Sequence, residues 1–207
     1  MSDSNLFDFI GKKIKNSIHY LDFLLSDSDE EFVLVVDKIL SDVIFEIEKN
    51  KKNFKNLDED GLSAIITVAL NTAGVLATRE THSNGHVDIT ISKLDYGQIK
   101  QILVEAKIWD GVQYHIKGLK QLLLRYATGR ESRGIVLSYV KHKGIKDIFD
   151  KLKKHMNEER PCNQNQDCKD HILKWSFLSN HDHSSGEDIE VCHVGCNLYV
   201  EDKALKS

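Results

Sequence analysis

What most constrains this chain is a change in hydrophobic period between residues 74 and 87. Before it, apolar residues recur in helical spacing, at Leu6-Phe7, Phe9-Ile10, Ile14, Ile18, Leu21 and Phe23-Leu24-Leu25. Ser26 to Glu31 reads as a helix start, because acidic side chains favour the positive end of a helix. The spacing predicts a helix over Glu30 to Lys49 that buries Phe32, Val35, Val36, Ile39, Leu40, Val43, Ile44 and Ile47. After a charged connection, Asp58-Glu59-Asp60 caps a further helix carrying Leu62, Ile65, Ile66, Ala69 and Leu70 and ending near Gly74.

From Val87 the period becomes 2. Val87-Asp88-Ile89-Thr90-Ile91-Ser92 alternates as a half-buried strand does, and the turn Asp95 to Gln98 leads into a second strand, Ile99 to Ile108, so the two form an antiparallel hairpin. Val112 to Thr128 reads as a helix and Gly134 to Val140 as an apolar strand, which implies parallel pairing through a crossover. Lys143 to Asn157 reads as a helix, Pro161 opens a polar loop, and strands near 172–178 and 189–200 complete the sheet. The expected fold class is α/β, a mixed sheet flanked by helices, with an added N-terminal helical lobe over residues 1–56 and the main domain over 57–207.

The formal charge of −4 is unevenly spread. Acidic residues outnumber Lys and Arg by roughly 14 to 8 up to Asp60, and the balance turns to roughly 14 basic against 6 acidic from Lys93 to Lys154. A local basic surface is compatible with a nucleic-acid partner. No apolar run approaches the ~20 residues needed to cross a bilayer. The start Met1 to Asn5 lacks signal-peptide features, so no membrane partner and a cytoplasmic location are expected, with the four Cys as thiols.

The pleat sorts the side chains. Val87, Ile89 and Ile91 are expected on one face of the first strand, Asp88 and Thr90 on the other. In the second strand Glu105 and Lys107 share a face with Leu103 and Trp109, and the hairpin can bring Asp88 beside them. Two carboxylates can hold Mg²⁺, a hard cation, and a lysine beside them can orient or deprotonate a water. Lys117, Gln121 and Arg125 fall one turn apart on one helix face, and Arg130 and Arg133 lie in a loop that could reach backbone phosphates. Glu80 is a further carboxylate near the hairpin.

These segments resemble the PD-(D/E)XK nuclease superfamily, which has the restriction-endonuclease-like fold. The resemblance spans about Asp58 to Val140 and rests on Asp58 to Leu62, Glu80 to Ile89, Val104-Glu105-Ala106-Lys107-Ile108-Trp109-Asp110-Gly111, and Leu119 to Tyr126. Val87 stands where a proline often precedes the Asp. The resemblance implies an αβββαβ core, whose missing strand would fall around 74–79, and an endonuclease of bacterial restriction or anti-phage defence. It implies Asp88 and Glu105 as ligands of Mg²⁺ (Mn²⁺ as substitute), Lys107 as the catalytic lysine, and Glu59 and Gln121 as assistants. DNA is the expected substrate and RNA the alternative. A homodimer would serve double-strand cleavage. The competing readings are a nuclease fold without turnover, and an interaction module docking a regulatory protein through its N-terminal helices.

Cys162, Cys168, His171, His181, His183, Cys192, His193 and Cys196 crowd the last third. Without a CxxC knuckle, and with Cys192 and Cys196 sharing one face of a strand, structural zinc is not expected. His181-Asp182-His183 reads as a polar turn before the last strand.

Overall fold

The computed structural model describes residues 19–82, 86–95 and 97–201, with the side chains of 80–82 and 86 also outside the description. The expected helical residues Leu6 to Ile18 therefore lie outside the described residues. Helices α1 (Tyr20–Leu25), α2 (Asp29–Lys49), α3 (Lys51–Phe54) and α4 (Glu59–Thr72) come first. Then follow β1 (Leu76–His82), β2 (His86–Asp95), β3 (Gln98–Ile108), α5 (Val112–Gln121), a π-helical turn (Leu122–Tyr126) and β4 (Arg133–Val140). Helix α6 (Ile145–Glu159) and strands β5 (Lys169–Asp170), β6 (Ser176–Asp182) and β7 (Asp188–Asn197) complete the described chain.

Helix starts are set locally. The Ser28 hydroxyl accepts from the Glu31 N–H while the Glu31 carboxylate accepts from the Ser28 N–H, a reciprocal box that satisfies two donors at the start of α2. At α4 the Asp58 carboxylate accepts from the Gly61 N–H at 2.9 Å.

The seven strands form one mixed sheet in the order β1-β2-β3-β4-β7-β6-β5. The β2–β3 hairpin is antiparallel, and β3–β4 is parallel across α5, as a crossover helix requires. Strand β1 overlaps the segment 74–79, where a further strand is expected. Strand β4 is buried along its whole length, because central strands are covered on both faces. One face carries Ile89, Ile91, Ile102, Val104, Ala106, Leu137 and Tyr139 against Phe32, Val36, Ile39, Leu40 and Ile44 of α2 and Leu62, Ile66 and Leu70 of α4. Residues before 57 thus help to build the main core. The other face packs Leu103, Trp109, Val136 and Val191 under Ile116 and Leu119 of α5, Leu122, Leu123 and Tyr126 of the π turn, and Phe149, Leu152 and Met156 of α6.

Three expectations change. Val87 belongs to the second core while Ile89 and Ile91 belong to the first, so the alternation of β2 breaks at Asp88. The predicted helix over 112–128 is α-helical only to Gln121, where it widens into a π turn closed by Ala127 N–H to Leu122 C=O at 2.9 Å. His181 and Asp182 lie within β6 rather than in a turn, and His181 is fully buried.

Gly195 of β7 lets α6 lie flat on the sheet. A Cβ there would stand 2.6 Å from Phe149 and 2.9 Å from Ile145, both held in the core. Gly195→Ala is expected to lower stability by about 1–3 kcal/mol in urea denaturation, an overpacking cost.

Candidate metal-binding and catalytic site

The site forms where β2 and β3 part. Their pairing runs from Asp95↔Gln98 to Ile89↔Val104 and stops there. Beyond that point carboxylates, in place of β2 backbone, take the alternate amides of β3. The Asp88 Oδ2 accepts from the Ala106 N–H at 2.7 Å, and the Glu59 Oε2 accepts from the Ile108 N–H at 3.0 Å. Glu59 reaches this edge because it is the first residue of α4, positioned by the Asp58 cap.

Lys107 draws the group together. Its Nζ lies 2.7 Å from Glu105 Oε1, 3.1 Å from Glu59 Oε1 and 3.8 Å from Asp88 Oδ2, and it donates to the Ala106 carbonyl at 3.0 Å. Three carboxylates face one ammonium, an excess of two negative charges when all are ionised. Glu105 is 1% exposed, and its Oε2 is buried without a hydrogen-bond partner. Burial first and the nearby Asp88 charge second push its carboxyl up to about 7. Burial likewise raises Asp88, against the pull of the Ala106 amide and Lys107. Burial opposes the charge of Lys107, but its hydrogen bond and attraction to Glu105, with Asp88 and Glu59, outweigh that and raise its pKa. Surrounded by carboxylates, Lys107 is held in its charged form in this arrangement.

Helix α5 covers the group through Gly118, whose absent Cβ would lie 3.2 Å from Lys107 Cγ and 3.5 Å from Glu105 Cγ. Gln121 ends α5 with its Oε1 buried and unpartnered. Tyr126, closing the π turn, was legible only as a core residue. It is buried, and its hydroxyl is raised by burial and then by the Glu105 charge.

The predicted basic residues divide. Lys117, Arg125 and Arg130 are exposed, although the π turn shifts Arg125 out of α-helical phase with Lys117 and Gln121. Arg133 does not serve a phosphate: it is buried at the start of β4, bonded to Asp37 at 2.8 Å and to Glu190 at 2.5 Å. Lys93 and Lys100 are also buried, donating to the carbonyls of Ser26 and Asp27, and Lys141 donates to the Leu57 carbonyl. The basic excess is therefore partly internal structure; its exposed members include Lys117, Lys120, Arg125 and Arg130 around α5 and the π turn, and Lys143, Lys146, Lys151 and Lys154 around α6. Glu80 lies on β1, its side chain outside the described residues.

A second constellation was missed. Ser138, the register neighbour of Lys107, begins a buried chain of hydrogen bonds. Ser138 Oγ lies 2.8 Å from His115 Nδ1, His115 Nε2 2.8 Å from His193 Nδ1, His193 Nε2 2.7 Å from Ser179 Oγ, and Ser179 Oγ 2.7 Å from His181 Nε2. The end fixes every proton. The Cys162 carbonyl, 3.0 Å away, can only accept, so His181 Nδ1 carries hydrogen and its Nε2 accepts from Ser179. Ser179 then accepts from His193, His193 from His115, and His115 from Ser138. All three imidazoles are neutral, and burial holds His115 down to about 3 and His193 lower than its ordinary range. The sequence signal was present only as polar residues at inward strand positions.

Comparison with protein-family models, curated proteins and solved structures finds no match to this chain. Among the described residues no helix is long and apolar enough to cross a membrane.

Proposed function

We propose that this protein is a metal-dependent nuclease whose centre is Asp88, Glu105 and Lys107, assisted by Glu59 and Gln121. One observation carries the reading: a nearly inaccessible carboxylate, Glu105, keeps one oxygen unpaired beside a second carboxylate and a lysine. Burying such an oxygen is costly unless a cation uses it. The order α4-β1-β2-β3-α5-β4 also agrees with the αβββαβ core that the resemblance implies.

Asp88 and Glu105 suit a hard divalent cation, Mg²⁺ or Mn²⁺. Such an ion, when bound, offsets charge developing on a phosphodiester and acidifies a bound water. The chain's own groups do the positioning. Glu59 and Asp88 are fixed on the amides of Ile108 and Ala106, so their free lone pairs keep a set direction. Lys107, held charged, donates toward a phosphate oxygen or the attacking water. The Gln121 amide, whose oxygen is buried without a partner, is proposed to orient that water. Lys117, Lys120, Arg125 and Arg130 offer a sequence-independent track for backbone phosphates. DNA is the proposed substrate and RNA the alternative.

The test is cleavage of linear and circular duplex DNA, single-stranded DNA and RNA with Mg²⁺ or Mn²⁺, with chelator, and with Lys107→Ala and Asp88→Asn. Metal-dependent cutting that falls by a factor of roughly 10³ or more in both variants is the expected result. Binding without cutting under either metal would turn the reading into a nucleic-acid-binding module. Cutting that persists in Lys107→Ala would move the chemistry elsewhere.

A further inference from the structure

On the other face of the sheet, three side chains far apart in sequence converge. Asp37 comes from the middle of α2, His171 from the segment after β5, and Cys192 from β7. One donor atom from each lies within 4.8 Å of the others. Asp37 Oδ2 is 3.0 Å from His171 Nε2, and Cys192 Sγ is 3.5 Å from His171 Nδ1. Asp37 and Cys192 are buried, and the side chain of His171 is only 5% exposed.

We propose that Asp37, His171 and Cys192 form a binding site for Zn²⁺, distinct from the Asp88–Glu105–Lys107 centre. The donor set is the first reason: one thiol, one imidazole and one carboxylate match a borderline-soft ion and are unsuited to Mg²⁺. Charge is the second. With Cys192 as a thiol, the carboxylates of Asp37 and Glu190 face the single guanidinium of Arg133, leaving one negative charge in excess. A divalent ion that displaces the thiol proton to solvent brings the group to neutrality. Arg133 does not block the site, because a carboxylate has lone pairs enough for a guanidinium and a cation together. Access is the third: Asp37, His171, Arg133 and Glu190 line a cavity of about 420 Å³ whose wall also includes Asp29 and Glu30 of α2. Three protein donors leave the fourth position to a water from that cavity. Ser176 Oγ, 3.1 Å from His171 Nδ1, steers the ring. The site would tie α2 to β7 and to the segment entering β6.

Co²⁺ titration of the full chain tests this directly. A near-ultraviolet thiolate-to-cobalt charge-transfer band should grow to one equivalent, be displaced by Zn²⁺, vanish in Cys192→Ser and persist in Cys196→Ser. Zn²⁺ should raise the melting temperature of the wild-type protein. In His171→Gln the Zn²⁺ affinity should fall by at least the roughly 10–100-fold that losing a supporting partner costs. Absence of the band in the wild-type protein, or its persistence in Cys192→Ser, would overturn the site. If Cys192→Ser fails to fold, the wild-type titration and His171→Gln still decide. None of these readouts involves cleavage, so failure here leaves the nuclease reading untouched, and the reverse.

Discussion

Glu105→Gln should raise the stability of the protein by about 1–3 kcal/mol above pH 7 while abolishing metal-dependent cleavage. The carboxyl is 1% exposed, one oxygen has no partner, and burial moves its pKa from 4.5 to about 7. A folded pKa above the unfolded one means that the folded state binds the extra proton. The proton's contribution is complete below pH 4.5 and is lost as pH rises through 7. The gain from glutamine should therefore be complete above pH 7 and fade toward pH 4.5. Glutamine keeps the shape and an acceptor for Lys107, which also retains Glu59 at 3.1 Å and Asp88 at 3.8 Å, so no ammonium is stranded. Urea denaturation at pH 8 and pH 5 measures the difference. No gain at pH 8 would show that Glu105 is better solvated than its surroundings imply, and the argument for a cation would lose its footing. A residue that weakens the fold where it sits is what a site built for a ligand predicts.

The buried imidazole chain sets the second large effect. His115, His193 and His181 are neutral in the fold, and burial lowers each of them. Their folded pKa values lie below the unfolded 6.5, so their contribution is intact above pH 6.5 and is lost as pH falls. Each imidazole that stays neutral while its unfolded counterpart protonates removes about 1.4 kcal/mol per pH unit. Urea denaturation should therefore show a histidine contribution that shrinks as pH drops below 6.5, carried longest by His115 and His193, which burial lowers furthest. The two contacts of Ser179 add a sharper expectation. Ser179→Ala strands two buried groups, the His193 N–H and the His181 Nε2, whereas Ser138→Ala strands only His115 Nδ1. At about 1–3 kcal/mol for each stranded group, the first variant should lose roughly twice as much as the second. Equal losses in denaturant would mean that Ser179 does not bridge the two imidazoles.

The difference between what was legible and what was not follows from range. The period change, the caps at Ser28 and Asp58 and the β2–β3 turn are decided by neighbours within a few residues, so helices, hairpin and crossover could be read directly. The placing of Glu105 and Lys107 on one face was legible for the same reason, since the pleat repeats every two residues. Arg133 could not be read: a loop arginine and a buried partner of Asp37 look alike until α2 is laid on the sheet. Nor could the break at Asp88, which arises because its carboxylate takes the Ala106 amide.

By itself the sequence determined which residues could make the site: its local periods fix the strands, and the strands fix the sides. Only the tertiary structure decided that Glu59 joins them across 48 positions, that Glu105 is buried with an oxygen unpaired, and that Asp37, His171 and Cys192 meet at all. Burial and charge balance are sums over everything packed around a group, and no run of neighbouring residues contains that sum.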